Sequence, residues 1–469
     1  MVSASVSTAG AGSASPRLVV AAPGSGHGKT TVATGLLAAL RGRGTEVAGF
    51  KVGPDYIDPG YHTIASGGPG RNLDPVLVGE RSIAPLFAHG SRTAELSVIE
   101  GVMGLFDGRL GSADEVPPFG STAHVASLLD APVVLVVDAK GQSHSTAALL
   151  HGFRSFHPQL QLAGVIFNRV GSQRHEQVLR EAARAVGIRV LGVLGRADDV
   201  QVPSRHLGLI TAAEHGPAAV RAVESMADVV AAGVDLDAVA ALAGTAPALS
   251  ARPWSPDEAI GDDTGVPRGG GARIAVAGGA AFTFGYAEHV ELLRAAGAEV
   301  LPFDPLSAES LPAGTTGLVL PGGFPEQHVA ELSANVGLRE HVAELVARGA
   351  PVHAECAGLL YLARSLDGYP LCGVVDVSAE MSPNLTLGYR AAVAATDSVL
   401  FREGQRVTGH EFHRTVLLES EDSAPAWYWR AEKVVTEGFV SGGVHASYLH
   451  THPAGQPGSV ARFVRACVP

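Results

Sequence analysis

The sequence predicts an α/β protein of two units, a doubly wound parallel sheet followed by a second α/β unit. Three observations predict it. Through the first half, short apolar runs alternate with helix-length amphipathic stretches, the pattern of a parallel sheet covered on both faces. At 246–271 the chain turns Pro-, Gly- and Asp-rich and loses apolar periodicity, as a linker does. Strand–helix alternation then starts afresh at Arg273-Ile274-Ala275-Val276-Ala277, and 469 residues exceed what one core holds.

The elements follow in order. Residues 1–16 are Ser-, Ala-, Gly- and Thr-rich with no cation before Arg17, so they lack the basic start and apolar centre of a signal peptide and read as a disordered tail. A first domain spans 17–245, with strands expected at 18–22, 46–50, 96–99, 132–137, 163–167 and 190–193. Helices fall between them, among them 176–186 with its Arg/Glu face. After the 246–271 linker, the second domain, 272–469, opens with the strand 273–277. A helix at 286–296, strands at 298–303 and 317–320, and a helical stretch at 327–347 follow. Beyond 370 the segments shorten and polar turns multiply, which predicts antiparallel strands.

Composition narrows the partners. A net charge of −12 argues against nucleic acid. No apolar run approaches the ~20 residues of a membrane span. The 3 cysteines, 356, 372 and 467, are far apart and lack metal-ligand spacing, which fits a reducing cytoplasm. The oligomeric state is not fixed by the sequence, and a homodimer is compatible with it.

Directly behind the first strand stands Pro23-Gly24-Ser25-Gly26-His27-Gly28-Lys29-Thr30-Thr31. An apolar strand, a glycine turn and Gly-Lys-Thr at a helix start make a phosphate cradle. Gly26 and Gly28 allow the turn, Lys29 reaches the β/γ-phosphates, Thr30 is placed to hold Mg²⁺, and Thr31 continues the cradle. The strict pattern has Gly where this chain has Pro23. Yet lysine is rare here, occurring only at 29, 51, 140 and 433 among 34 basic residues, so its retention at 29 argues for a compact point charge.

Gly49–His62, with Lys51, Asp55, Tyr56, Ile57 and Asp58, is too dense in Lys, Asp, Tyr, Gly and Pro for a core element. It reads as a loop at a strand's carboxyl end, where open α/β sheets bind ligands, against the plainer reading of a solvated turn. Glu100, ending Leu96-Ser97-Val98-Ile99, is placed to coordinate Mg²⁺, and Asp107 to meet substrate or a second metal; either could instead cap a helix. Asn72-Leu73-Asp74-Pro75 and Asn168-Arg169 are further polar strand ends, and Pro203–Leu209 has no assigned role.

In the second half, Pro351-Val352-His353-Ala354-Glu355-Cys356-Ala357-Gly358 has the layout of a nucleophile elbow: strand, Cys, small residues, helix. The plainer reading of Cys356 is a buried small hydrophobe. Gly322-Gly323 after Leu318-Val319-Leu320 can offer oxyanion-binding N–H groups, with Ala357 as a second donor. Gly443–Pro453 supplies a distant base in His445, His450 or His452; in an extended strand His450 and His452 share one face and His445 the other, so parity alone does not choose between His450 and His452. Gly409–His413 is either structural or lines a domain interface.

Together these residues resemble the cobyrinate (or hydrogenobyrinate) a,c-diamide synthases of cobalamin biosynthesis, over about residues 17–466 and in motif order. The resemblance implies an ATP-dependent amidoligase domain, similar to dethiobiotin synthetase, fused to a class I glutamine amidotransferase domain. It implies Cys356 as glutaminase nucleophile and His450, in Ser-Tyr-Leu-His, as its base. It implies ATP and Mg²⁺ at Lys29, Thr30 and Glu100, and substrate handling by Asp55, Tyr56, Ile57, Asp58 and Asp107. Glutamine and a corrinoid tetrapyrrole are the implied substrates, joined through an acyl phosphate that ammonia displaces, with Lys51 balancing phosphoryl charge.

Three departures stand out. Cys-Gly-Gly is here Cys356-Ala357-Gly358. The usual Arg-Asp is replaced in Ala277-Gly278-Gly279-Ala280-Ala281-Phe282, so that Asp is missing or supplied elsewhere. The Glu that class I glutaminases place two residues after the histidine is His452, as in the cobalamin-type subfamily, which implies a Cys–His dyad without a carboxylate orienter. Cobyric acid synthase is the close alternative, another modified-tetrapyrrole amidoligase a further one, and a P-loop switch ATPase the distant one. An Arg- and Ala-rich composition leans toward the metal-free macrocycle.

Overall fold

The computed structural model describes residues 15–109, 111, 115–196, 204–205, 208–209, 212–261, 271–418 and 424–468. Nearly all of the expected N-terminal tail, residues 262–270 of the linker, and Pro203, His206 and Leu207 lie outside the described residues.

A seven-stranded sheet forms the first half, in the order β3-β2-β4-β1-β5-β6-β7. Its strands are β1 (Arg17–Ala21), β2 (Val47–Val52), β3 (Arg71–Leu73), β4 (Leu96–Glu100), β5 (Val133–Asp138), β6 (Leu162–Val170) and β7 (Val190–Gly195). Every pairing is parallel. Apolar side chains alternate across β1, Leu18 and Val20 entering one core and Val19 and Ala21 the other. Both faces are covered, which is why the strands read as continuous apolar runs. Helix α1 (Lys29–Gly42) and helix Pro217–Gly233 bury their apolar sides in the first of those cores.

The six strands expected here are present with small shifts at their ends; β3 was not anticipated, because three residues are too few to show a period. The helix expected at 176–186 runs Gln173–Ala185, since Ser172 caps it by accepting the His175 N–H. Within the expected linker, Ser255 caps a helix Pro256–Ile260, and the Trp254 N–H donates to the Pro85 carbonyl at 2.9 Å.

The second half holds a six-stranded sheet in the order Glu299–Phe303, Arg273–Ala277, Gly317–Leu320, Val352–Glu355, Val444–Ser447, Phe439–Ser441. All its pairings are parallel except the last. The helical stretch expected at 327–347 is broken at Asn335, whose side chain caps Val336–Ala347 and also holds the carbonyls of Pro305 and Ala308. Beyond 370 most pairings are antiparallel as expected, but Val444–Ser447 joins Val352–Glu355 and Val375–Ala394 joins Ala363–Leu366 in parallel. Not all the strands are short: Val375–Ala394 is 20 residues long and pairs antiparallel with Arg406–Leu417. Among the described residues no helix is long and apolar enough to cross a membrane.

The two halves meet through buried polar contacts. Arg71 of β3 donates to Glu288 at 2.6 Å and also binds Glu291, both on helix Ala287–Ala295. The Tyr389 hydroxyl donates to Asp74 at 2.9 Å, and the Tyr286 hydroxyl to that of Tyr56 at 2.9 Å.

Candidate functional site

The phosphate loop closes on α1 through Gly28, the helix N-cap, at φ +96. A Cβ there would stand 2.3 Å from the Asn168 side-chain nitrogen, so both the backbone and the space require glycine. Asn168 holds the loop by donating to the His27 carbonyl at 3.0 Å, while the His27 ring accepts the Asp138 N–H at 2.9 Å. These contacts make Asn168 a residue that holds the turn. The buried Lys29 ammonium curls back onto the carbonyls of Gly24, at 3.1 Å, and Met103.

Beneath the loop lies a buried charge cluster. The Lys51 ammonium binds Asp58, Glu100 at 3.0 Å and, farther off, Asp55 at 3.9 Å. Burial alone would lower its pKa, but these carboxylates outweigh that and raise it. Glu100 is fully buried, yet Lys51 and His62, whose Nε2 lies 2.8 Å away, keep it ionised well below the usual carboxylate range. The Thr30 hydroxyl donates to Glu100 at 2.6 Å and sits 3.4 Å from Asp58. Thr30, Asp58 and Glu100 thus converge three hard oxygen donors on one point, a set that suits Mg²⁺ completed by phosphate and water oxygens. Among the described residues no three His, Cys, Asp or Glu side chains could hold a metal alone. Asp107 accepts the Gly104 N–H at 2.7 Å on the neighbouring loop. Asn72 holds the 53–55 loop by donating to the carbonyls of Gly53 and Asp55.

Two residues of the Asp55–Asp58 run point elsewhere. Ile57 is a core residue of the face that α1 covers. Tyr56 leaves the charge cluster and enters the second half, where its ring stacks on Phe284 at 4.9 Å and lies 4.9 Å from the ring of His450.

Cys356 ends strand Val352–Glu355 and begins helix Ala357–Leu362 at φ 49, ψ −99, a strained conformation for a residue with a side chain. Its N–H donates to the Ser447 carbonyl at 2.7 Å. Burial pushes the thiol pKa up and Glu326 adds to this, while the N–H groups of Ala357 and Gly323 at the sulfur pull it down. These are the two donors expected of an oxyanion site. The sulfur opens on a cleft of about 280 Å³ lined by Gly323, Glu326, Phe412 and Arg414 among others. The Arg414 Nε is buried there without a hydrogen-bond partner, and nothing in the sequence had singled it out.

The histidines separate by environment. His445 binds the Ser398 hydroxyl at 3.1 Å, and burial pushes its pKa down to about 3. His452 caps the turn at Pro453 and lies under the Tyr286 ring; burial lowers it to about 4. His410, paired across the strands with His450, is likewise lowered to about 3 by burial. His413 stacks on Tyr448 at 3.8 Å. His450 is wholly buried, yet neither ring nitrogen has a hydrogen-bond partner among the described residues. Gly322 makes room for it, since a Cβ there would stand 2.3 Å from His450 Cε1.

The expected carboxylate-free dyad has a carboxylate beside it. Glu355 Oε2 lies 3.7 Å from His450 Nδ1, an ion-pair distance longer than a hydrogen bond. At Gly279, where the expected Asp is missing, a Cβ would stand 2.3 Å from the carboxyl carbon of Asp304, which follows strand Glu299–Phe303.

Comparison with known proteins matches a different family model in each half. Residues 18–210 match the CobQ/CobB/MinD/ParA nucleotide binding domain, and residues 273–457 the CobB/CobQ-like glutamine amidotransferase domain. A hydrogenobyrinate a,c-diamide synthase of Mycobacterium tuberculosis is 61% identical over 95% of this chain and 97% of its own length. One of Streptomyces coelicolor is 56% identical over 97% and 98%. A cobyrinate a,c-diamide synthase of Synechococcus is 41% identical over 96% and 98%.

Proposed function

This chain belongs to the a,c-diamide synthase family, and from that premise we propose that it amidates the a and c side-chain carboxylates of hydrogenobyrinate, using ATP and glutamine. The metal-free substrate is favoured because relatives named for hydrogenobyrinate are 51–61% identical, against 41% or less for those named for cobyrinate. Cys356 is the glutaminase nucleophile and His450 its base. The thiol proton passes to His450, the sulfur bonds to the carboxamide carbon, and the N–H groups of Gly323 and Ala357 receive the oxyanion. As the C–N bond breaks, the imidazolium returns its proton to the departing nitrogen, leaving ammonia and a thioester that water hydrolyses. Arg414 is suited to the α-carboxylate of glutamine.

In the other half, Gly26, Gly28, Lys29, Thr30 and Thr31 cradle ATP. Thr30, Asp58 and Glu100 would hold Mg²⁺, which supplies charge neutralisation on the phosphates when bound. Asp55 and Asp107 flank the acceptor side, and Lys51 keeps the buried carboxylates together. The substrate carboxylate takes the γ-phosphoryl group, and ammonia then displaces phosphate.

One observation carries the reading. Tyr56, two residues from an aspartate in the charge cluster, packs on the histidine of the glutaminase site, so a single loop borders both sites. Lys29→Ala tests the ligase half. We expect amidation of hydrogenobyrinate to fall at least ~100-fold, with glutamine hydrolysis largely retained; amidation at the unaltered rate refutes the cradle. Parallel assays on cobyrinate and cobyrinate a,c-diamide fix the substrate.

A further inference from the structure

We propose that Glu355 is the positioning residue of His450, taking the place of the carboxylate that follows the histidine in other class I glutaminases; this rests on the reading of Cys356 and His450 above. Glu355 immediately precedes the nucleophile and is anchored through one oxygen. Its Oε1 accepts the Thr451 N–H at 3.1 Å and hydroxyl at 3.0 Å, and lies 3.2 Å from His353 Nε2. Those contacts tie the end of strand Val352–Glu355 to strand His450–Thr451, which carries the histidine. The second oxygen is left facing His450 Nδ1.

A fully buried imidazole that takes the thiol proton becomes a cation in a low-dielectric site, and that charge needs a counter-charge. The other groups around the ring supply none. Tyr56 lies against it as a neutral phenol whose pKa is raised by burial, and His410 is held neutral. Glu355 is ionised: burial opposes this, but His353 and His450 hold it well below the usual carboxylate range. Its charge also favours the tautomer with the proton on Nδ1, leaving Nε2 free to accept the thiol proton. The step conserves atoms and charge, since a thiol and a neutral imidazole become a thiolate and an imidazolium.

Glu355→Gln keeps shape and removes the charge. In the full chain we expect kcat for glutamine hydrolysis to fall ~100-fold or more, with KM for glutamine within ~3-fold and ammonium-dependent amidation unchanged. Glu355→Asp, a shorter carboxylate, should recover part of kcat. A Glu355→Gln enzyme within ~3-fold of the original kcat overturns the proposal. So does one that loses ammonium-dependent amidation in parallel, which marks a structural role. If instead Cys356→Ser still hydrolyses glutamine, the underlying assignment of the nucleophile has failed, not the role of Glu355.

Discussion

Cys356 and His450 are both buried, and in the proposed mechanism burial works against each at the moment it carries charge. The site answers with fixed partners: two N–H groups at the sulfur and one carboxylate beside the imidazole. Asp74 shows the same tension away from the chemistry. It is fully buried, and desolvation raises its pKa to about 6 despite hydrogen bonds from Tyr389 and two backbone N–H groups. A folded pKa above the unfolded value means that stability is fullest below about pH 4 and is lost as pH rises through about 6. A shift of this size corresponds to about 3 kcal/mol. Asp74→Asn can still cap the helix at Pro75 and accept from Tyr389, but does not titrate. Its stability relative to the parent, read from urea unfolding at pH 4 and pH 7, should therefore improve by up to about 3 kcal/mol between the two. A difference that does not change with pH contradicts the assignment.

At the scale of elements, what could be read from the sequence was local. The phosphate loop and the cysteine elbow are strand–turn–helix devices whose chemistry sits in consecutive residues, Gly28-Lys29-Thr30 and Glu355-Cys356-Ala357. The role proposed for Glu355 was hidden although the residue lay within the motif, because His450 reaches it only through the pairing of distant strands. Parity left His450 and His452 unresolved, and the single extended strand it assumes is broken: His445 and His450 lie on different strands in different sheets. Tyr56 was grouped with its substrate-loop neighbours, and only the docking of the two halves shows its ring against His450 and Phe284. We propose that this ring, held between the Asp58 loop and His450, forms part of the wall between Cys356 and the charge cluster. Tyr56→Ala should let ammonia escape, so that glutamine consumed per amide formed rises at least ~2-fold; deleting a buried aromatic side chain also costs about 3–5 kcal/mol of stability. Tyr56→Phe keeps the ring and should leave the ratio unchanged. Paired glutamate and amide measurements decide it, and an unaltered ratio in the alanine variant removes Tyr56 from the wall.

Across the whole molecule, the two halves are locked by buried contacts between Arg71 and the acids of helix Ala287–Ala295, and by the Asp74–Tyr389 and Tyr56–Tyr286 hydrogen bonds. The first core reaches across this boundary, since Phe284, Tyr286 and Phe324 pack into it. Such an interface suits a chain that makes a reactive small molecule in one half and consumes it in the other. The direct measurement is amide formation on hydrogenobyrinate by Cys356→Ser, with ATP and either glutamine or ammonium. The account predicts no amidation from glutamine and amidation from ammonium at the parent enzyme's rate. Amidation from glutamine, or loss of both activities in a folded protein, would contradict it.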